Sequence, residues 1–251
     1  MIESKFISYK KQEKIALITL DRPEKRNSLD SQTIKDLREI WIDFESDPDL
    51  RVSVITGTGG AFCTGMDLDE AGQGAVVDFN LCIPNYGVEV SKPIISAING
   101  WAIGAGVGLV TGSDIKVMSE KAKIIFPEAK IGYAGGGVDQ LNYMPYSVAM
   151  ELWLTGEPLE AERAYEVGFV NRIVPPDQLM DTAMEFADKI KDNAPLTMKM
   201  LKMLAIEHTR SVKSQWLLTE TRYIKPQLES HDFREGVRAF KEKRKPLFKN
   251  N

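Results

Sequence analysis

The stretch Asn99-Gly100-Trp101-Ala102-Ile103-Gly104-Ala105-Gly106-Val107-Gly108 follows an apolar extended run at 93–98. A lone carboxylate, Glu128, comes twenty residues later, behind Phe126-Pro127. Small residues at a strand-to-helix junction leave backbone N–H groups open to a ligand. Such donors hold a developing oxyanion, and a nearby carboxylate moves a proton. The combination points to enolate chemistry on a carbonyl compound.

Taken alone, the glycine stretch has three readings. Gly104, Gly106 and Gly108 permit close helix–strand packing. They fit a dinucleotide fingerprint poorly, because Gly108 falls one position early for G-x-G-x-x-G. The third reading is an oxyanion hole, in which the Ala105 N–H at a helix start donates to a carbonyl oxygen. A hole needs a second donor. The loop Ala61-Phe62-Cys63-Thr64-Gly65-Met66-Asp67-Leu68 offers the Met66 N–H, with Gly65 supplying backbone freedom.

The elements that must position these groups follow from local pattern. Residues 15–20, 52–56, 93–98, 115–118 and 169–174 read as strands rich in branched side chains. Asp30 or Ser31 caps a helix with Ile34, Leu37, Trp41 and Phe44 at helical spacing. A short helix spans 160–167, and 69–85 reads as an irregular connection flanking another. Strand–helix–strand order favours an α/β core. After Pro175-Pro176 the segments 177–192, 196–210, 214–223 and 229–243 read as helices. The expected division is a core over 1–190 and a helical region over 191–251.

Composition removes several function classes. The chain has 251 residues, 43% hydrophobic and 27% charged, with a net charge of −4. That balance gives no polyanion-binding signal, so nucleic acid is not the expected partner. No apolar run approaches the roughly 20 residues of a membrane span, and the N-terminus lacks a signal-peptide layout. Two cysteines, Cys63 and Cys82, are too few for a disulfide framework, so a reduced cytoplasm is expected. His208 and His231 read as surface or helix-end residues, which argues against a Ser–His triad or a histidine-bound zinc.

Five segments, in order, resemble the crotonase (enoyl-CoA hydratase/isomerase) superfamily. They are Leu20-Asp21-Arg22-Pro23-Glu24-Lys25-Arg26-Asn27-Ser28-Leu29, Phe62–Leu68, the run from Lys92 through the glycine stretch, Phe126-Pro127-Glu128-Ala129-Lys130-Ile131-Gly132, and the tail Phe233–Pro246. The resemblance implies an α/β spiral of repeated ββα units with a helical C-terminal region, assembled as a homotrimer or a dimer of trimers. It implies an acyl-CoA thioester substrate whose carbonyl is held by the Met66 and Ala105 amides beside Glu128. Lys25, Arg26, Ser28, Thr64, Asp67 and Leu68 would line the CoA site. Gly104, Gly106, Gly108 and Tyr133 would also bind the substrate, and Phe240 and Lys243 would reach the nucleotide end. No separate cofactor is implied, since coenzyme A is part of the substrate.

One departure bears on the reaction. Two-carboxylate hydratases of this superfamily carry glutamates at positions matching Gly108 and Glu128, and here the first is glycine. A single carboxylate still shuttles a proton, so double-bond isomerisation by Glu128 is the favoured expectation. Two alternatives stay open. One is a hydratase or dehydratase in which Tyr133 or Asp139 replaces the missing acid; the other is a silent CoA-ester-binding scaffold.

Overall fold

Through the middle of the chain, from residue 52 to 125, successive strands alternate between two sheets. The computed structural model describes residues 4–71, 78–132, 142–208 and 230–249. In it, β1 (Ile7–Gln12), β2 (Ile15–Leu20), β3 (Val52–Gly57), β5 (Ile94–Ile98), β7 (Ile115–Ser119) and β10 (Arg172–Val174) form the larger sheet, in the order β1-β2-β3-β5-β7-β10. The smaller sheet has the order β4 (Ala61–Cys63), β6 (Trp101–Ile103), β8 (Lys123–Ile125), β9 (Leu159–Glu160). Each of β3, β5 and β7 hands the chain to a short strand of the other sheet, and α3 (Ala105–Thr111) follows β6. This is the ββα winding that the family resemblance implies.

The remaining helices are α1 (Ser31–Ser46), α2 (Leu68–Ala71), α4 (Tyr146–Thr155), α5 (Ala161–Glu166), α6 (Leu179–Lys191), α7 over 195–208, and α8 (His231–Lys241). Asp30 caps α1 through its Oδ1, which accepts from the Thr33 amide at 2.8 Å. Apart from the antiparallel β1–β2 hairpin, the larger sheet is parallel. Parallel strands covered on both faces read as continuous apolar runs rather than alternating ones. Accordingly, Ala16, Ile18 and Leu20 of β2 join a core with Trp41, Phe44 and Phe62, while Ile15 packs with Leu179, Ala183 and Ala187 of α6 on the other face.

Local pattern missed several elements and overstated one. The strands β4, β6 and β8 span three residues each, too short for period-two alternation to register. The expected strand at 169–174 reduces to Arg172–Val174, because the Phe169 amide turns back to donate to Ala164 O at 2.9 Å. The expected helix at 214–223 lies outside the described residues. Among the described residues, no helix is long and apolar enough to cross a membrane.

Candidate active site

A cavity of approximately 1200 Å³ opens where the smaller sheet, α3 and α8 meet. Its wall brings together segments far apart in sequence: Met66, Gly104, Ala105, Gly108 and Glu128 all line it. So do Lys25, Arg26, Ser28, Thr64, Asp67, Leu68 and Phe240.

The Met66 amide is left over by its pairing. Leu29 bridges the loop in parallel, donating to Gly65 O at 2.7 Å and accepting from the Asp67 amide at 3.0 Å. In such a bridge the flanked residue, Met66, spends neither its N–H nor its C=O on that partner. The Ala105 amide is left over by helix geometry. As the first residue of α3 it has no carbonyl one turn earlier to bond. The preceding amide, of Gly104, is instead taken by Ile125 O at 3.1 Å. The two loops touch backbone to backbone, since a Cβ at Gly65 would sit 3.1 Å from Ala105 N. Gly104 makes the turn into α3 at φ +53° and ψ −118°, a conformation open to glycine and strained for other residues.

Glu128 opens the 3-10 turn Glu128–Ile131 after β8. A Cβ on Gly104 would lie 2.9 Å from Glu128 Oε1, so the glycine leaves the carboxylate room against the head of α3. Its Oε2 is buried and has no hydrogen-bond partner among the described residues. Burial pushes the carboxyl up to about 8, opposed only by a backbone hydrogen bond. A carboxyl so placed holds a proton more tightly than an ordinary one, and its conjugate base is strong for a carboxylate.

The wall next to Glu128 along α3 is aliphatic. At Gly108, one helical turn beyond Gly104, a Cβ would come within 2.5 Å of Ile83 Cδ1. Two of the expected site residues do not line the cavity. Gly106 is buried, and a Cβ there would meet the Cys63 carbonyl oxygen at 2.1 Å, so its lack of a side chain serves packing. Lys243 sits at φ +53° just past α8, and Arg244 and Pro246 line the cavity in its place. Tyr133 and Asp139 lie outside the described residues.

Supporting interactions hold the loops from behind. Arg22 Nη1 donates to Asp67 Oδ2 at 2.8 Å and lies 3.2 Å from Asp30 Oδ2. Asp67 Oδ1 accepts from the Asp69 amide at 3.0 Å. Burial alone would raise the Asp67 carboxyl, but the Asp69 amide and the Arg22 guanidinium outweigh it and hold the group below its ordinary range. Asp67 therefore lines the cavity with its charge already spent on anchoring the Met66 loop. Asn27 and Asn99 both donate to Ala61 O, at 2.8 and 3.2 Å, tying the rim together. Lys25 Nζ donates to Asp69 Oδ2 at 2.6 Å across the mouth.

From the other side, α8 presses on the turn that carries Glu128. A Cβ at Gly236 would be 2.2 Å from Ile131 O, and one at Gly132 would be 2.6 Å from Asp232 O. Past α8 the tail is clasped by buried Glu235, which accepts from Arg238, Arg244 and the Leu247 amide. Arg22, Asp67 as an anchor, Ile83 and Arg244 were not singled out from the sequence, because what each does depends on the residues that packing sets against it. Among the described residues, no group of three or more His, Cys, Asp or Glu side chains is arranged to hold a metal ion.

Comparison with known proteins gives a consistent picture. The family model for enoyl-CoA hydratase/isomerase matches residues 10–251. The chain is 35% identical to (E)-benzylidenesuccinyl-CoA hydratase of Thauera aromatica, over 94% of this chain and 95% of that protein. It is 36% identical to carnitinyl-CoA dehydratase of Proteus mirabilis, over 92% and 94% of the two. Among solved structures it resembles carnitinyl-CoA hydratase from Mycobacterium avium, with a TM-score of 0.89 and 32% identity, covering 99% of this chain and 100% of that one.

Proposed function

The chain belongs to the enoyl-CoA hydratase/isomerase family, as an enzyme acting on CoA thioesters, and from that premise we propose that it moves a carbon–carbon double bond of an enoyl-CoA through a thioester enolate. One observation carries this reading: the carboxylate of Glu128, whose buried Oε2 has no hydrogen-bond partner among the described residues, stands against the glycine turn that frees the Ala105 amide.

In the proposed cycle the Met66 and Ala105 N–H groups donate to the thioester carbonyl oxygen. With the substrate bound, Glu128 as carboxylate takes a proton from C2 of a 3-enoyl ester. The C–H electron pair moves into a dienolate whose negative charge rests on that oxygen. Glu128, now a carboxylic acid, returns the proton at C4, and the double bond settles between C2 and C3. Atoms and charge balance on the chain's own carboxyl, so the step calls for no separate cofactor. Removing one such amide donor commonly costs on the order of 3 kcal/mol of transition-state stabilisation. Lys25, Arg26, Lys130 and Arg244 around the mouth support a phosphate-bearing nucleotide end for the ligand. Exposed Leu196, Met200, Leu201 and Leu204 on α7 support a further reading, that this face is covered by other copies in a trimer or paired trimers.

A second reading is hydration or dehydration of an enoyl-CoA, favoured by the names of the relatives at 35–36% identity. A panel of 2-enoyl- and 3-enoyl-CoA esters followed by absorbance and mass separates the two. The expected product is an isomer of unchanged mass, and addition of water would select the second reading. Glu128→Gln is expected to abolish exchange of the substrate's α or γ protons with solvent deuterium. Unchanged exchange in that variant would overturn the assignment of Glu128.

A further inference from the structure

The space a side chain would take at Gly108 is filled from the facing segment. Ile83 Cδ1 occupies the notch, 2.5 Å from the position a Cβ at 108 would take. Ile83 is buried, and its backbone leaves it little latitude. Its amide donates to Asn80 O at 3.0 Å, and its carbonyl accepts from Tyr86 N at 3.1 Å and Gly87 N at 3.3 Å. The preceding carbonyl, of Cys82, is held by Trp41 Nε1 at 3.0 Å. One turn further along α3, a Cβ at Gly112 would meet Pro84 Cδ at 3.1 Å. The segment Ile83-Pro84 is thus seated along the glycine face of α3.

Distances along α3 say which part of an acyl chain meets this plug. Ala105 and Gly108 are three residues apart, a rise of about 4.5 Å. Gly104 and Gly108 are one turn apart, with the Glu128 carboxylate at the first and the Ile83 methyl at the second. A chain whose carbonyl oxygen sits on the Ala105 amide therefore passes the carboxylate and then reaches Ile83 at its third or fourth carbon.

We propose that Ile83, plugged into the notch at Gly108, is a specificity-determining residue that restricts the enzyme to acyl-CoA thioesters unbranched at the third carbon. The inference rests on the reading that the cavity binds an acyl-CoA with its carbonyl on the two free amides. Ile83 adds an aliphatic surface and no proton donor, so a branch at that carbon meets a methyl group that the clasped backbone holds in place. One methylene in an apolar pocket discriminates by roughly 10- to 200-fold.

Binding tests this apart from catalysis. Butyryl-CoA and 3-methylbutyryl-CoA are saturated and have no double bond to move; their dissociation constants are measured by calorimetry on the full-length protein. The wild type is expected to prefer butyryl-CoA, and Ile83→Ala to shift the ratio toward the branched ester by at least tenfold. Ile83→Val removes only the δ-methyl, carries little folding risk, and is expected to shift the ratio the same way by several-fold. Gly108→Ala should weaken both esters, and Ile83→Ala/Gly108→Ala should recover butyryl-CoA binding. A ratio unchanged within twofold in both Ile83 variants would overturn the proposal while leaving the Glu128 exchange result standing. Conversely, persistent exchange in Glu128→Gln would remove the isomerase reading and leave this discrimination intact. Failure of both esters to bind the wild type would overturn the shared premise.

Discussion

Replacing Glu128 by glutamine is expected to stabilise the unliganded protein in a way that depends on pH. In the native state burial moves this carboxyl from 4.5 to about 8. The unfolded chain releases the proton near the ordinary value, so between those two pH values the native state binds more protons than the unfolded one. Stability contributed by the neutral form is therefore complete below about 4.5, falls as pH rises, and levels off above about 8. At about 1.4 kcal/mol per pH unit, the full window is worth about 5 kcal/mol. Water entry and side-chain rearrangement reduce this, and a difference of about 2 to 5 kcal/mol is the working expectation. Glutamine has the same shape and carries no titrating proton. Urea unfolding of both proteins at equal protomer concentration, at pH 5, 7 and 9, reads the effect. The gap between the two midpoints should widen from pH 5 to pH 9, with the variant the more stable. Parallel profiles would show that the carboxyl is not desolvated, and the proposed strength of Glu128 as a base would fall with it.

Three further perturbations probe the surrounding structure. Asp67→Ala removes one carboxylate partner of half-buried Arg22, leaving Asp30, and the acceptor for the Asp69 amide, and should cost about 1.5–3 kcal/mol of stability in urea unfolding. Its turnover should fall more than its affinity for the ester, because the Met66 amide loses its anchor; intact turnover would refute that role. Gly104→Ala places a Cβ 2.9 Å from Glu128 Oε1 at a φ of +53°. It should add about 1–3 kcal/mol of strain and depress solvent exchange far more than it lowers the melting temperature. Glu235→Gln breaks the charge pairing with Arg238 and Arg244 that holds the tail. It should raise KM for the CoA ester with kcat nearly unchanged, and a selective fall in kcat would contradict a role confined to the tail.

Much of this was readable before any coordinates, for reasons of local physics. Asp30 caps α1 because an aspartate before a helical apolar pattern has one strongly favoured use. The runs that became β2, β3, β5 and β7 are long enough for branched apolar residues to declare a covered parallel strand. The glycine stretch marked backbone amides open to a ligand at a strand-to-helix junction, and Glu128 stood out as a lone acid behind Phe126-Pro127.

Other features needed the third dimension. The short strands of the smaller sheet carry too few residues to show a period, and only their pairing with one another makes them strands. That Asp67, on the cavity wall, is paired with Arg22 depends on a contact spanning 45 positions. The glycine at 108 announced a missing acid, but not that Ile83 had taken its place. Sequence determines which groups can turn, cap or donate, because those are properties of a few neighbouring bonds. Burial of the Glu128 carboxylate and the plug at Gly108 arise between segments brought together only by packing, and tertiary structure alone decides them.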